Sequence, residues 1–395
     1  MSKSKMSKVS FKNTEIAFKA KSSSDLKKSY WLFKLVGNNV LVNLGPTLLK
    51  FAFFLRLPIK SIIKNTIFEQ FCGGESIMEC KERIQSLAKY NVQTILDYSV
   101  EGESSKENFD LTANEIIKTI ERAKGDENIP FAVFKTSGLA RIELLEKVSS
   151  NILLNENEKK EFGLLKDRVK FICQKAYDLD VRIFIDAEES WIQNAIDDLA
   201  TSMMRKYNNE RAIVYNTLQM YRWDRVAFLK QSYADAENGN YCLGLKIVRG
   251  AYMEKERERA QELGYSSPIQ KDKISCDKDY DFALAYCINH IDKISLCAGT
   301  HNEESSLNLI DLMKENNILK DDKRVYFSQL LGMSDHISFN LADKGYNVVK
   351  YMPYGPVKLV LPYLIRRAQE NTSISGQTGR ELSLIIKEKV RYRNI

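Results

Sequence analysis

Val181-Arg182-Ile183-Phe184-Ile185-Asp186 is the stretch that decides the fold. It is apolar over most of its length, too short for a helix of ordinary size, and ends on an aspartate. A stretch of helical pattern follows it. From residue 92 onward the same phrase recurs, with further apolar runs at 94–100, 131–135, 211–218, 243–248, 293–300, 324–330 and 347–352. Most are continuous rather than alternating, as expected of strands covered on both faces. Strand–helix alternation repeated eight times fits an α/β chain with a (βα)8 TIM-type barrel better than a doubly wound sheet, an alternative that periodicity alone leaves open. The expected division is a helical N-terminal extension over 1–91, the barrel over 92–371 and a tail over 372–395.

Polar residues stand at or just past the C-terminal ends of these runs: Lys135, Asp186, Gln219, Lys246, His301, Gln329 and Tyr351. In a barrel those ends converge on one mouth, where active sites sit. Ordinary loop polarity explains one such residue more easily than it explains seven. The final helix adds Tyr363, Arg366, Arg367 and Glu370 at spacing i, i+3, i+4, i+7, which places them on one helical face. Adjacent guanidiniums repel unless an anion offsets them. Glu370 can hold one, and a substrate carboxylate gripped by the pair is a natural partner. Read from these residues alone, a buried Arg–Glu network without ligand stays open as an alternative.

Composition narrows the function classes. The net charge of +7 is modest for 395 residues, and lysines alternate with acids along segments such as 254–261. That pattern describes solvated helix faces, not a nucleic-acid stripe. Seven cysteines form no CxxC pair and there are only three histidines, so no zinc site is expected. Buried reduced thiols are the expectation. No nucleophile elbow, P-loop or Gly-x-Gly-x-x-Gly is present. The N-terminus lacks the apolar core of a secretory signal, and charges and prolines interrupt the apolar stretch 40–63, so no spanning helix is expected. Phosphate could instead be met at the mouth, where Thr300-His301-Asn302 opens a helix with Asn302 as N-cap.

Taken in order, the motifs resemble those of proline dehydrogenases. Lys246-Ile-Val-Arg249-Gly250-Ala251-Tyr252 is similar to the family's strand-5 signature. Tyr351-Met-Pro-Tyr-Gly-Pro, continued by Tyr363-Leu-Ile-Arg366-Arg367-Ala-Gln-Glu370-Asn, resembles its strand-8 and last-helix signature. Ile185-Asp186-Ala187-Glu188-Glu189, Thr300-His301-Asn302 and Ser328-Gln-Leu330-Leu-Gly332-Met fall in the right order, so the resemblance covers roughly residues 70 to 371.

The resemblance implies a distorted (βα)8 barrel and a monofunctional enzyme that binds FAD non-covalently at the barrel's mouth. It would oxidise L-proline to Δ1-pyrroline-5-carboxylate by hydride transfer from C5 to flavin N5, the first step of proline catabolism, and pass electrons to a quinone. It implies Asp186 and Lys246 as catalytic residues. Lys135, Arg366 and Arg367 would hold the substrate carboxylate, with Glu370 beside them, and Tyr252, Leu330, Tyr351 and Tyr363 would enclose the ring. Flavin contacts would fall on Ala187, Gln219, Lys246, Arg249, Gly250, Ala251, Thr300 and His301. Many members carry arginine where Lys246 stands, and lysine lacks its planar fork.

The bulk of Tyr351 predicts preference for proline over trans-4-hydroxyproline. The resemblance further implies peripheral membrane contact, with the apolar and basic stretch 47–64 as the candidate surface. The expected location is cytoplasmic, on the inner membrane of a bacterium, or mitochondrial in a eukaryote. The length leaves no room for the aldehyde dehydrogenase domain of bifunctional relatives. Two rival readings are a flavin barrel acting on hydroxyproline or another imino acid, and a non-catalytic flavin- or ligand-binding barrel.

Overall fold

The structure is a computed structural model, and it describes residues 9–37, 58–99, 105–373 and 377–393. Eight parallel strands close into a barrel in sequential order: β1 (Val92–Tyr98), β2 (Phe131–Lys135), β3 (Arg182–Asp186), β4 (Val214–Gln219), β5 (Leu243–Val248), β6 (Ile294–Gly299), β7 (Val325–Leu330) and β8 (Val348–Tyr354). The expected α/β barrel is the one observed, with helices such as Ser23–Val36 and Cys80–Ala88 ahead of the first strand. The run expected to begin at Arg211 becomes a strand only at Val214. Before it, the Asn208 side-chain oxygen accepts the backbone N–H groups of Ile213 and Val214, each at 2.9 Å, and its amide donates to the Val214 carbonyl at 2.8 Å.

By packing, the chain forms two compact units, Thr94–Ser328 and the combination of Met1–Gln93 with Gln329–Ile395. Within the first, the strand alternation explains the interior. On β3, Ile183 and Ile185 are fully buried on one side, and Arg182, Phe184 and Asp186 take the other. The Phe184 ring stacks on Phe131 at 4.4 Å between centroids, and Phe131 meets Tyr215 and Tyr326 edge-on at 5.4 and 4.9 Å. Arg182 lies over Phe131 and Tyr326, and its Nη1 donates to the Tyr326 hydroxyl at 3.1 Å. Aromatic side chains therefore fill the inside, so this is a packed core and not a pore. Each such fully buried ring contributes about 1.5–3 kcal/mol of burial free energy.

Outside the sheet, the helix Ser190–Tyr207 buries Ile192, Ala195, Ile196, Leu199 and Ala200. It also carries the buried Asp197, which accepts from Asn216 of β4 at 2.9 Å and from Arg225 at 2.7 Å. Six of the seven cysteines are buried, and Cys242 is half-buried. Burial pushes the Cys80 and Cys287 thiols up to about 12, so they stay protonated.

In the second unit, Phe33, Phe71, Val360, Leu364, Leu384 and Ile385 share one apolar cluster. A capping box between Ser22 and Asp25 starts the helix Ser23–Val36. The turn after β7 needs Gly332: its φ is +77°, and a Cβ there would lie 2.2 Å from the Gln70 carbonyl oxygen. Gln70 in turn donates to the Gly332 carbonyl at 2.8 Å. Among the described residues, no helix is long and apolar enough to cross a membrane.

Candidate active site

Parallel pairing sets the strand ends side by side. Lys135 of β2 is in register with Asp186 of β3, and Thr217 of β4 with Lys246 of β5. Alternation then turns Asp186 and Lys246 to the interior, where they form a buried ion pair. The Lys246 ammonium lies 5.0 Å from the Phe184 ring centroid, so the charged layer rests on the aromatic one. Lys135 is half-buried at its strand end.

The residues after β5 and β6 form a second group. Arg249 donates to Asp277 at 2.7 Å, to the Thr300 hydroxyl at 2.8 Å and to the Ser305 hydroxyl at 2.9 Å, and its guanidinium stacks over Tyr280 at 4.2 Å. The Thr300 hydroxyl also accepts the Asn302 N–H at 3.1 Å, and Asn302 caps the helix Glu303–Glu315 by accepting from Ser305 at 3.0 Å. The expected N-cap is thus formed. His301 beside it is half-buried. Gln219, buried at the end of β4, donates to the Glu188 carbonyl at 2.6 Å and accepts the Ala251 N–H at 3.4 Å. Gly250 has φ +137°, and a Cβ there would fall 2.5 Å from the Tyr221 ring. Gly250 and Ala251 are exposed, and Ala187 and Tyr252 are half-buried.

Four residues near these strand ends were not singled out by sequence reasoning. Asp97 on β1 is buried at 2% exposure. Burial drives its carboxyl upward, with the charge of Lys135 pulling the other way and that of Asp186 adding to the rise. Its signal was an acid inside an apolar run. Glu188 is buried in the motif after β3 and accepts the Ser137 N–H at 2.9 Å as well as the Ser137 hydroxyl. Burial, then the neighbouring Glu189, pushes its carboxyl up to about 7. Thr217 Oγ1 and the Tyr221 hydroxyl are buried with no hydrogen-bond partner among the described residues. No sequence signal marks those two.

In the other compact unit, Leu330 ends β7 and Tyr351 lies on β8, joined by the Leu331 N–H donating to the Tyr351 carbonyl at 2.9 Å. The helix Val357–Ser373 carries Tyr363 and Arg367, both buried, and the half-buried Arg366. The Arg367 guanidinium sits 5.1 Å from the Tyr363 ring centroid, as i, i+4 spacing on one face requires. Glu370 lies outside the residues whose side chains are described. Gln329 departs from expectation: its side chain accepts the Ser338 hydroxyl at 2.8 Å, because alternation on β7 turns it away from the side of Leu330.

Comparison with known proteins gives the family. Residues 80–380 match the proline dehydrogenase family model. The chain is 33% identical to proline dehydrogenase 1, mitochondrial, of Dictyostelium discoideum, over 96% of this chain and 74% of that protein. It is also 33% identical to the carbapenem antibiotics biosynthesis protein CarD of Pectobacterium carotovorum, over 81% of this chain and 83% of the relative. Among solved structures, proline utilization A from Bdellovibrio bacteriovorus, inactivated by N-propargylglycine, superposes with a TM-score of 0.73 at 19% identity. That match covers 94% of this chain and 40% of the longer one, a likeness of fold. The chain therefore belongs to the proline dehydrogenase family, and it is an oxidoreductase acting on proline.

Proposed function

We propose that the chain oxidises L-proline to Δ1-pyrroline-5-carboxylate with non-covalently bound FAD, and that the electrons pass on to a quinone. The observation that carries this reading is the buried Asp186–Lys246 pair, with Lys135 in register beside Asp186. An apolar barrel interior holds such charges only at high desolvation cost, which a purely structural role does not require.

The residues expected to meet the flavin fit a bound group. Gly250 lets the backbone pass directly against the Tyr221 ring, and the partnerless Tyr221 hydroxyl and Thr217 Oγ1 leave buried polar atoms to be satisfied. When bound, FAD supplies the two-electron acceptor that no amino-acid side chain offers. Lys135, Arg366 and Arg367 hold the substrate carboxylate through charge-assisted hydrogen bonds. Tyr252, Leu330, Tyr351 and Tyr363 enclose the ring and limit water. Lys246, ion-paired with Asp186, would present a positive charge to the bound cofactor. Ala187, Gln219, Arg249, Gly250, Ala251, Thr300 and His301 complete the cofactor's surroundings.

Peripheral membrane contact is part of the same reading. Residues 47–57 of the candidate surface lie outside the described residues. Within the remainder, Lys60 and Ile62 are exposed and Ile63 is buried. Unchanged liposome binding after deletion of 47–64 would remove this surface from the proposal. The enzymatic reading is tested by an absorbance spectrum of the purified protein. A flavin band at about 450 nm, bleached anaerobically by L-proline, is expected. Absence of that band after FAD addition would overturn the reading.

A further inference from the structure

We propose that Glu188 is a positioning residue for Lys135, and that it sets the affinity for the substrate carboxylate through the turn that follows β2. The inference rests on the reading of Lys135 as a carboxylate-binding residue. Register makes the connection short: Lys135 and Asp186 are paired across β2 and β3, so Thr136-Ser137 and Ala187-Glu188 leave the sheet side by side. The Glu188 carboxylate takes both polar groups of Ser137, the N–H at 2.9 Å on one oxygen and the hydroxyl on the other. Two bonds from one carboxylate to one residue fix the direction in which the turn Thr136–Gly138 departs, and with it the backbone of Lys135.

Glu188 is itself held at both ends of its backbone. Its N–H donates to the Gln193 side chain at 2.9 Å, and its carbonyl accepts from Gln219 at 2.6 Å. Gln193 is anchored in turn on Asp197 at 2.9 Å. The carboxylate is thus a rigid strut between the ends of β2, β3 and β4. Nothing in the proposed chemistry requires an acid at this place.

The strut is responsive to pH. Burial first and Glu189 second push the Glu188 carboxyl up to about 7, against the hydrogen bonds from Ser137 and the charge of Lys135. The groups facing it are few. Glu189 lies on its own segment and is paired with Lys255. Lys135 comes from β2, and Ser137, Gln193 and Gln219 are uncharged. Above neutral pH Glu188 is a carboxylate that accepts both Ser137 bonds at full strength. Below it, the protonated acid accepts more weakly and the turn loosens.

The test is steady-state kinetics of the holoenzyme at matched flavin content, comparing wild type, Glu188→Gln, Lys135→Met and the double variant. Glu188→Gln should raise the KM for L-proline roughly five- to tenfold while kcat changes less than about twofold, in line with weakened charge-assisted bonds. In the Lys135→Met background the same substitution should add nothing to KM, because its effect runs through the lysine. The ratio of KM between Glu188→Gln and wild type should shrink as pH falls from 8 to 6. Should Glu188→Gln prove unstable, Ser137→Ala removes one of the two bonds and should move KM in the same direction. A full additional increase in the double variant, or parallel pH profiles, overturns the proposal and leaves the reading of Lys135 intact. No change of KM in Lys135→Met overturns that reading, and this proposal with it.

Discussion

Asp186 and Lys246, 60 residues apart in sequence, meet as a buried ion pair inside the barrel. Removing one partner of such a pair strands the other charge in a poorly solvated place, at a cost of about 3–5 kcal/mol. Asp186→Ala is therefore expected to lower the unfolding free energy by that order and to abolish proline oxidation. The double variant Asp186→Ala with Lys246→Met should recover part of the stability and none of the activity. Urea unfolding and the flavin-bleaching assay measure the two effects. Stability of Asp186→Ala within about 1 kcal/mol of wild type would show that the pair is not effectively desolvated.

A second buried network gives a pH-dependent stability. Lys350 on β8 is fully buried, bonded to Asp335 at 2.9 Å and to the Met333 carbonyl at 2.5 Å, and Asp335 also meets Lys21 at 3.3 Å. Burial alone would raise the Asp335 carboxyl, but Lys350 and Lys21 outweigh it and bring the group from 3.8 down to about 2. A folded-state value below the unfolded one stabilises the native chain above about pH 4, and that stabilisation is lost as pH falls towards 2. Asp335→Asn should be destabilised at neutral pH by about 3–5 kcal/mol, with a shallower loss of stability than wild type between pH 4 and 2. Equal slopes for the two proteins in that window would refute the assignment.

Gly250 tests the cofactor cradle. Its φ of +137° and the 2.5 Å approach of a would-be Cβ to the Tyr221 ring leave no room for alanine. Gly250→Ala should cost about 1–3 kcal/mol in backbone strain, spent at the end of β5. The purified variant should accordingly contain much less flavin than wild type, measured by absorbance after removal of free FAD. Undiminished flavin content would separate this glycine from cofactor binding.

Tyr351 tests substrate choice. If its phenol lies over the ring of the substrate, a 4-hydroxyl meets it directly. Wild type should then favour L-proline over trans-4-hydroxyproline in kcat/KM, and Tyr351→Ser should narrow the gap by on the order of tenfold. Comparable kcat/KM for both substrates in the wild type would rule out this role.

Much of the barrel was legible because strand and helix patterns are local properties of the chain. The runs ending at Lys135, Asp186 and Val248 coincide with strand ends, and Asn302 caps its helix as its side chain and position require. Tyr363 and Arg367 share a helical face because four residues make about one turn. Gln329 and Arg211 were misplaced for tertiary reasons. Alternation on β7 turns Gln329 to the helix carrying Ser338, and the Asn208 side chain takes backbone groups ahead of β4.

The sequence by itself determined the order of strands and helices, the polar residues at their ends and the family to which the chain belongs. Only the tertiary structure decided which polar and charged groups meet. Asp186 finds Lys246, Glu188 finds Ser137 and Lys350 finds Asp335, through strand register and barrel closure. These are contacts between positions distant along the chain, and no local periodicity encodes them. Burial decided the rest: the same carboxyl group lies near 2 at Asp335, between two lysines, and near 7 at Glu188, beside another acid.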